Sequence, residues 1–324
     1  MSNTRIAVIG ASQLDPDHHI ALNELSDQGR VSAFALDADA DHSGFSVLEA
    51  AMQNGALDAI MLTGPRTNLR EWAVFALQHG WPVFATQAVA SSVEDMVEIR
   101  RAEQSHPSAM IQFGLTARYH ESVQVALAKR DTGEYGRLLT MRGVCGCSVH
   151  DLTDSVVFDL GPQMVDLMQL FAGPFQDVSG YSDLDRSPTP GSETNVFATL
   201  RTHDGILASL HLSASQWRPA FRLELGFERG YMRLEGLNSQ RQNFGQEMLV
   251  YARSDGTSTR HETVEQFDQS HGAKAAIEAF LQHLTTPGRT VLNSSNDAFD
   301  TLNTIQRILA ADPIFAPLEE RHVS

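Results

Sequence analysis

The sequence predicts an α/β protein in two parts: a doubly wound parallel sheet, then an α+β domain on a mostly antiparallel open sheet. Three observations carry this. Short apolar runs alternate with helical periodicity over the first 115 residues. After about residue 120, strands instead alternate apolar and polar side chains. Gly10 closes the first apolar run, where a nucleotide-binding strand makes its tight turn. A length of 324 residues suits two ordinary domains better than one small core. The expected division is 1–118 and 119–324, with the C-terminal helices able to pack back on the first domain.

In chain order, the runs of the first part are Ile6 to Ile9, Val31 to Leu36, Ala59 to Leu62, Val83 to Ala85 and Met110 to Phe113. Continuous apolar strands are buried on both faces, as in a parallel Rossmann sheet covered by helices. Between them Leu69, Trp72, Ala73, Ala76 and Gly80 recur at helical spacing. In the second part Phe221, Leu223, Leu225 and Phe227 alternate with Arg222, Glu224 and Gly226, the pattern of a sheet buried on one face. The tripeptides at 203–205 and 228–230 each end in glycine and read as hairpin turns. A helix is expected from roughly Gly161 to Phe171, with Met164, Leu167, Met168 and Phe171 on one side. Two more follow, through Ile277, Phe280, Leu281 and Leu284, and through Phe299, Leu302, Ile305 and Leu309. Segments Arg186 to Glu193 and Ser254 to His261 are polar and loop-like, and no internal repeat is visible.

Composition narrows the function classes. A formal net charge of -16 argues against nucleic acid, because neutralising phosphates requires clustered Lys and Arg. It argues equally against anionic membrane surfaces. No apolar run approaches the roughly 20 residues that span a bilayer. The N-terminus leads straight into the first strand without a basic segment or cleavage site, so a cytoplasmic protein is expected. Cys145 and Cys147 are too close in sequence for ordinary disulfide geometry, and with His150 and Asp151 they match no common zinc spacing. No metal is expected.

The glycine loop is half intact. A full dinucleotide fingerprint has glycine for the turn, for approach of the pyrophosphate, and for helix packing. Gly10 fills the first place, Ser12 the second and Asp15 the third, with Pro16 next. Asp15 reads as a helix N-cap with proline at the first helical position, and such a cap occupies amides that a phosphate would otherwise use. Asp37 ends the second strand, where an acidic residue can hold a ribose diol or simply sit in a turn. Asp39 and Asp41 close behind would repel a 2′-phosphate, so NAD is favoured over NADP.

With these residues in place, the chain resembles the Gfo/Idh/MocA family, the glucose-fructose oxidoreductase and inositol dehydrogenase type. The stretch Leu57 to Met61 with Thr63 and Pro65 is similar to the family's third strand and the loop over the nicotinamide. Ala76, Leu77, Gly80 and Val83 look like its next helix and strand, and His18 matches a histidine common after the glycine loop. Arg118 and the segment Gly133 to Leu138 are similar to the crossing into the second domain. Asp159 to Asp166 looks like the family's active-site helix.

The resemblance implies hydride transfer between a nicotinamide and a sugar or polyol carbon. It also implies a lysine, an aspartate and a histidine as catalytic groups. Position by position these fall on Gln87, Asp159 and Gln163, and a further histidine often found after the third strand is Leu69. The chain has only two lysines, Lys129 and Lys274, and neither lies there. Oxidising an alcohol needs a proton acceptor, which an amide cannot be, although it can bind and orient a substrate. His150, His120 and Tyr119 are alternative acceptors. Asp159, Gln163 and Asp166 share a helix face by their spacing, directed at a substrate, unless Asp159 merely caps the helix.

The expectation is therefore a diverged NAD-linked oxidoreductase for a sugar-like or cyclic polyol substrate. Its catalytic set is Asp159, Gln163, Gln87 and His150, and its cofactor set is Gly10, Ser12, Asp37, Thr63, Pro65 and Gln87. Arg118, Asp159, Gln163 and Asp166 are expected to face the substrate. The alternative is a non-catalytic relative, a ligand sensor or silent subunit. A homo-dimer or tetramer is expected through the C-terminal sheet, on apolar residues such as Phe197 and Leu210.

Overall fold

The computed structural model describes residues 3–36, 42–64, 66–87, 90, 92–148, 150, 152, 155–183, 193–237, 244–254, 261–268, 272–286 and 293–312. The chain divides into two compact units, one of residues 1–116 with 273–300, the other of 117–272 with 301–324. The expected loops at 186–193 and 254–261 lie, but for their ends, outside the described residues. Among those residues no helix is long and apolar enough to cross a membrane.

The first unit holds a five-stranded parallel sheet in the order β2-β1-β3-β4-β5. Its strands are β1 (Thr4–Ile9), β2 (Val31–Leu36), β3 (Ala59–Leu62), β4 (Pro82–Ala85) and β5 (Met110–Phe113). β3 is buried at every position, as the unbroken apolar run requires, whereas edge strand β2 leaves Phe34 half exposed. Helices α1 (Pro16–Asp27), α2 (His42–Gln53), α3 (Arg66–Gln78) and α4 (Val93–Gln104) alternate with these strands. Two of them start at side-chain caps: Asp15 for α1, with Pro16 at the first helical position, and Ser92 for α4.

The second unit is built on eight strands in the order β13-β12-β11-β10-β6-β9-β8-β7. They are β6 (Leu138–Ser148), β7 (Phe175–Asp183), β8 (Asn195–Thr202), β9 (Leu207–Ser213), β10 (Ser215–Phe227), β11 (Gly230–Glu235), β12 (Glu247–Arg253) and β13 (Thr263–Phe267). All neighbours are antiparallel except β6 with β9. Both expected hairpin turns are present, between β8 and β9 and between β10 and β11. A 3-10 turn, Thr116–Tyr119, leads to α5 (Glu121–Asp131), and α6 (Val156–Ala172) follows β6. The late helices are α7 (Gly272–Thr285) and α8 (Ser295–Ala310).

Helix α6 lies against the sheet through Met164, Leu167, Met168 and Phe171, all buried. It can approach because β6 carries glycine beneath it. A Cβ on Gly143 would stand 2.9 Å from the Met168 sulfur and 3.0 Å from that of Met164. The helix begins five residues before the expected Gly161 (161 minus 156), capped by Ser155, whose hydroxyl accepts from the Phe158 amide. Asp159 is thus inside the first turn and is not the cap. The sequence signal misleads because Gly161-Pro162 looks like a helix start, while here Pro162 sits within the helix.

On the other side of the sheet, Phe197 is 56% exposed and Tyr181, its partner across β7 and β8, is 67% exposed. Leu210 corrects the expectation. It is 1% exposed and belongs to the core face.

Candidate active site

In the first unit, the expected cofactor residues gather at the carboxyl ends of β1, β3 and β4. Gly10 adopts a left-handed conformation (φ 79°), and a Cβ there would meet the Thr63 carbonyl at 2.1 Å, so glycine is required twice over. The Thr63 amide donates to the Ile9 carbonyl at 3.0 Å, and its hydroxyl donates to the Gln13 carbonyl at 3.4 Å. Ser12 is exposed within the 3-10 turn Ala11–Gln13. Gln87 donates its side-chain amide to the Gly64 carbonyl. Gly10, Ser12, Thr63 and Gln87 are therefore brought to one edge by turns laced to each other. Asp37 and Pro65 lie outside the described residues.

Asp15 does more than cap. Its Oδ1 accepts from the His18 amide at 3.1 Å and its Oδ2 lies 2.6 Å from His18 Nδ1. Burial raises its pKa, but the hydrogen bonds and charge of His18 outweigh this and hold the carboxyl below its ordinary value.

In the second unit, α6 presents Asp159 and Gln163, both half-buried. Gln163 Oε1 accepts the Ala117 amide at 3.0 Å, tying the helix to the 3-10 turn. Asp166, a turn further on, is fully buried and paired with Arg118, whose Nε donates to Oδ2 at 2.6 Å. As placed, these two expected substrate residues hold each other. Gln124 reinforces the turn by donating to the Arg118 carbonyl at 2.6 Å.

His150 is exposed just beyond β6, its amide 3.4 Å from the Ser148 hydroxyl. His120, the other histidine considered, is buried, with Nδ1 2.9 Å from Glu247 Oε2. Burial raises the Glu247 pKa, but the His120 and Ser122 contacts bring it below the usual carboxylate value. Sequence reasoning missed Glu247 and the Asp15 contact to the His18 ring. The first lies 127 residues from its partner and leaves no local signal. The second was legible as an aspartate three residues before a histidine at a helix start. Among the described residues no cluster of His, Cys, Asp or Glu is placed to hold a metal, and both cysteines are buried and not disulfide-bonded.

The chain thus combines a five-stranded parallel sheet, with a glycine turn after its first strand, and an open eight-stranded sheet packed by α6. Residues 123–233 match the model of the GFO/IDH/MocA C-terminal domain, and over this part the chain is similar to that family. An inositol 2-dehydrogenase of Corynebacterium glutamicum is 24% identical over 277 residues, 78% of this chain and 80% of that protein. Another of Burkholderia lata is 26% identical over 152 residues, 42% of this chain and 44% of that one. The fold is shared with solved structures. UDP-N-acetylglucosamine 3-dehydrogenase GnnA from Acidithiobacillus ferrooxidans has a TM-score of 0.77 at 17% identity, covering 97% of this chain and 99% of that one. A levoglucosan dehydrogenase in complex with NADH and L-sorbose has a TM-score of 0.78 at 14% identity, covering 98% of each chain.

Proposed function

We propose that the chain is a diverged NAD-linked oxidoreductase that moves hydride between a nicotinamide and a sugar-like or cyclic polyol substrate. One observation carries the reading. Of the three positions where the resemblance puts catalytic groups, Asp159 alone holds a titratable side chain, and it stands partly exposed in the first turn of α6. Relatives named for inositol, and a fold neighbour solved with NADH and L-sorbose, support the substrate class and the cofactor.

The Gly10 turn fits a dinucleotide, because its backbone closes against Thr63 without a side chain between. Gly10, Ser12, Thr63 and Gln87 are the residues that would hold it, with Asp37 on the ribose diol and Pro65 beside the nicotinamide. The start of α1 fits less well, because Asp15 already caps it. The bound nicotinamide supplies the hydride acceptor. In this reading Asp159 takes the hydroxyl proton, and Gln163 and Gln87 orient the substrate by hydrogen bonds without exchanging protons. His150 is the next acceptor. Arg118 and Asp166 act through the placement of α6. The exposed sheet face around Phe197 and Tyr181 mediates a homo-dimer or tetramer.

A second reading has its own observation. Both amides that replace catalytic groups donate to or accept from backbone, at Gly64 and at Ala117, which is what a retired site would show. NAD reduction assayed over a panel of cyclic polyols and sugars separates the two. Turnover of any member supports the enzyme, whereas NADH binding without turnover of any supports a sensor or silent subunit.

A further inference from the structure

In a doubly wound sheet, the helix after the first strand offers free amides and the positive end of its dipole to a phosphate. Here that end is filled from within. Helix α1 starts only at Pro16, separated from Gly10 by the 3-10 turn Ala11–Gln13 and an extended Leu14. Pro16 has no amide hydrogen to offer. The amide of His18 donates to Asp15 Oδ1 at 3.1 Å and that of His19 to the Asp15 carbonyl at 3.0 Å. The Asp17 amide also turns to the Asp15 carboxylate. The second carboxylate oxygen lies 2.6 Å from Nδ1 of His18, whose residue is 3% exposed and whose ring packs beside Phe84. Asp17 adds another negative charge in the same turn.

We propose that Asp15 is a built-in occupant of the pyrophosphate position, so that an internal carboxylate competes with the dinucleotide and lowers its affinity. This rests on the reading of the first unit as a dinucleotide-binding domain. A pyrophosphate approaching α1 meets amides already engaged and two carboxylates, where the three-glycine fingerprint would offer bare backbone. The carboxylate is held from both sides, by the helix amides and by the imidazole of buried His18. The held-down pKa of Asp15 keeps it anionic at neutral pH.

The test uses Asp15→Asn and Asp15→Ser, both good N-caps that lack the charge. Thermal unfolding checks that they fold, and Asp15→Gly, which restores the fingerprint residue, serves as a third variant. Calorimetric titrations with NADH, ADP-ribose and adenosine are compared with wild type. The expected result is NADH and ADP-ribose bound on the order of tenfold more tightly by the Asn and Ser variants, with adenosine unchanged. Equal or weaker NADH binding by folded variants overturns the inference and leaves the dinucleotide reading standing. Adenosine gaining as much as NADH overturns it as well, since the effect is then not at the phosphates. No NADH binding by wild type or any variant overturns both.

Discussion

Arg118 and Asp166 form a two-pronged ion pair in the second unit, with Nε on one carboxylate oxygen at 2.6 Å and the second nitrogen on the other at 2.5 Å. The arginine side chain is 9% exposed and the aspartate not at all. The pair locks the 3-10 turn Thr116–Tyr119 to the middle of α6, and so sets where Asp159 and Gln163 stand. Arg118→Ala leaves a buried carboxylate uncompensated and is expected to cost about 3–5 kcal/mol of stability. Arg118→Met with Asp166→Leu recovers most of that loss. A double-mutant cycle by urea unfolding measures both, and a single-variant loss below about 1 kcal/mol would deny the pair this role.

Gln163 makes its own link to that turn. Gln163→Met leaves the Ala117 amide without its acceptor and should lose about 1–3 kcal/mol, whereas Gln163→Glu keeps the acceptor and stays near wild type. For the same reason, the family-like double change Gln87→Lys with Gln163→His should do little for turnover or reduce it. Steady-state NAD reduction on a polyol panel reads this out; a large gain would show that the amides are simple losses of catalytic groups.

Glu247 should contribute to acid sensitivity. Its folded pKa lies below the ordinary 4.5, so its stabilising effect is complete above that value and is lost as pH falls through the folded pKa. Urea midpoints taken from about pH 6 to about pH 3 should fall less steeply for Glu247→Gln than for wild type. Parallel slopes would remove Glu247 from the account.

Both sheets were legible because their strands announce themselves in different ways. Unbroken runs such as Ala59 to Leu62 need cover on both faces, and the alternation from Phe221 to Phe227 needs it on one. The Asp15 cap was legible from Asp-Pro alone. The phase of β9 was not, since Leu207, Leu210 and Leu212 put leucine on both faces and only Leu207 is exposed. The start of α6 was masked by a proline that the helix tolerates. Of the candidate site, motif order put Gly10 and Thr63 directly after apolar strands, and they follow β1 and β3. The Arg118–Asp166 pair joins residues 48 apart, and no local pattern encodes such a contact.

The sheet face yields an assembly test. Phe197 stacks on His211 with ring centres 3.9 Å apart, an apolar patch that continues to exposed Tyr181. Phe197→Asp with Tyr181→Asp should shift an oligomer toward monomer in light scattering. A wild-type monomer at micromolar concentration contradicts the proposed interface.

Whether Asp159 is the proton acceptor is decided by NAD-linked turnover of wild type and Asp159→Asn on one panel of cyclic polyols and sugars. The prediction is activity in wild type on at least one member and its loss by a factor of at least about 100 in the folded Asn variant, the scale of a removed general base. Activity that survives Asp159→Asn contradicts the assignment and moves the proton acceptor to His150.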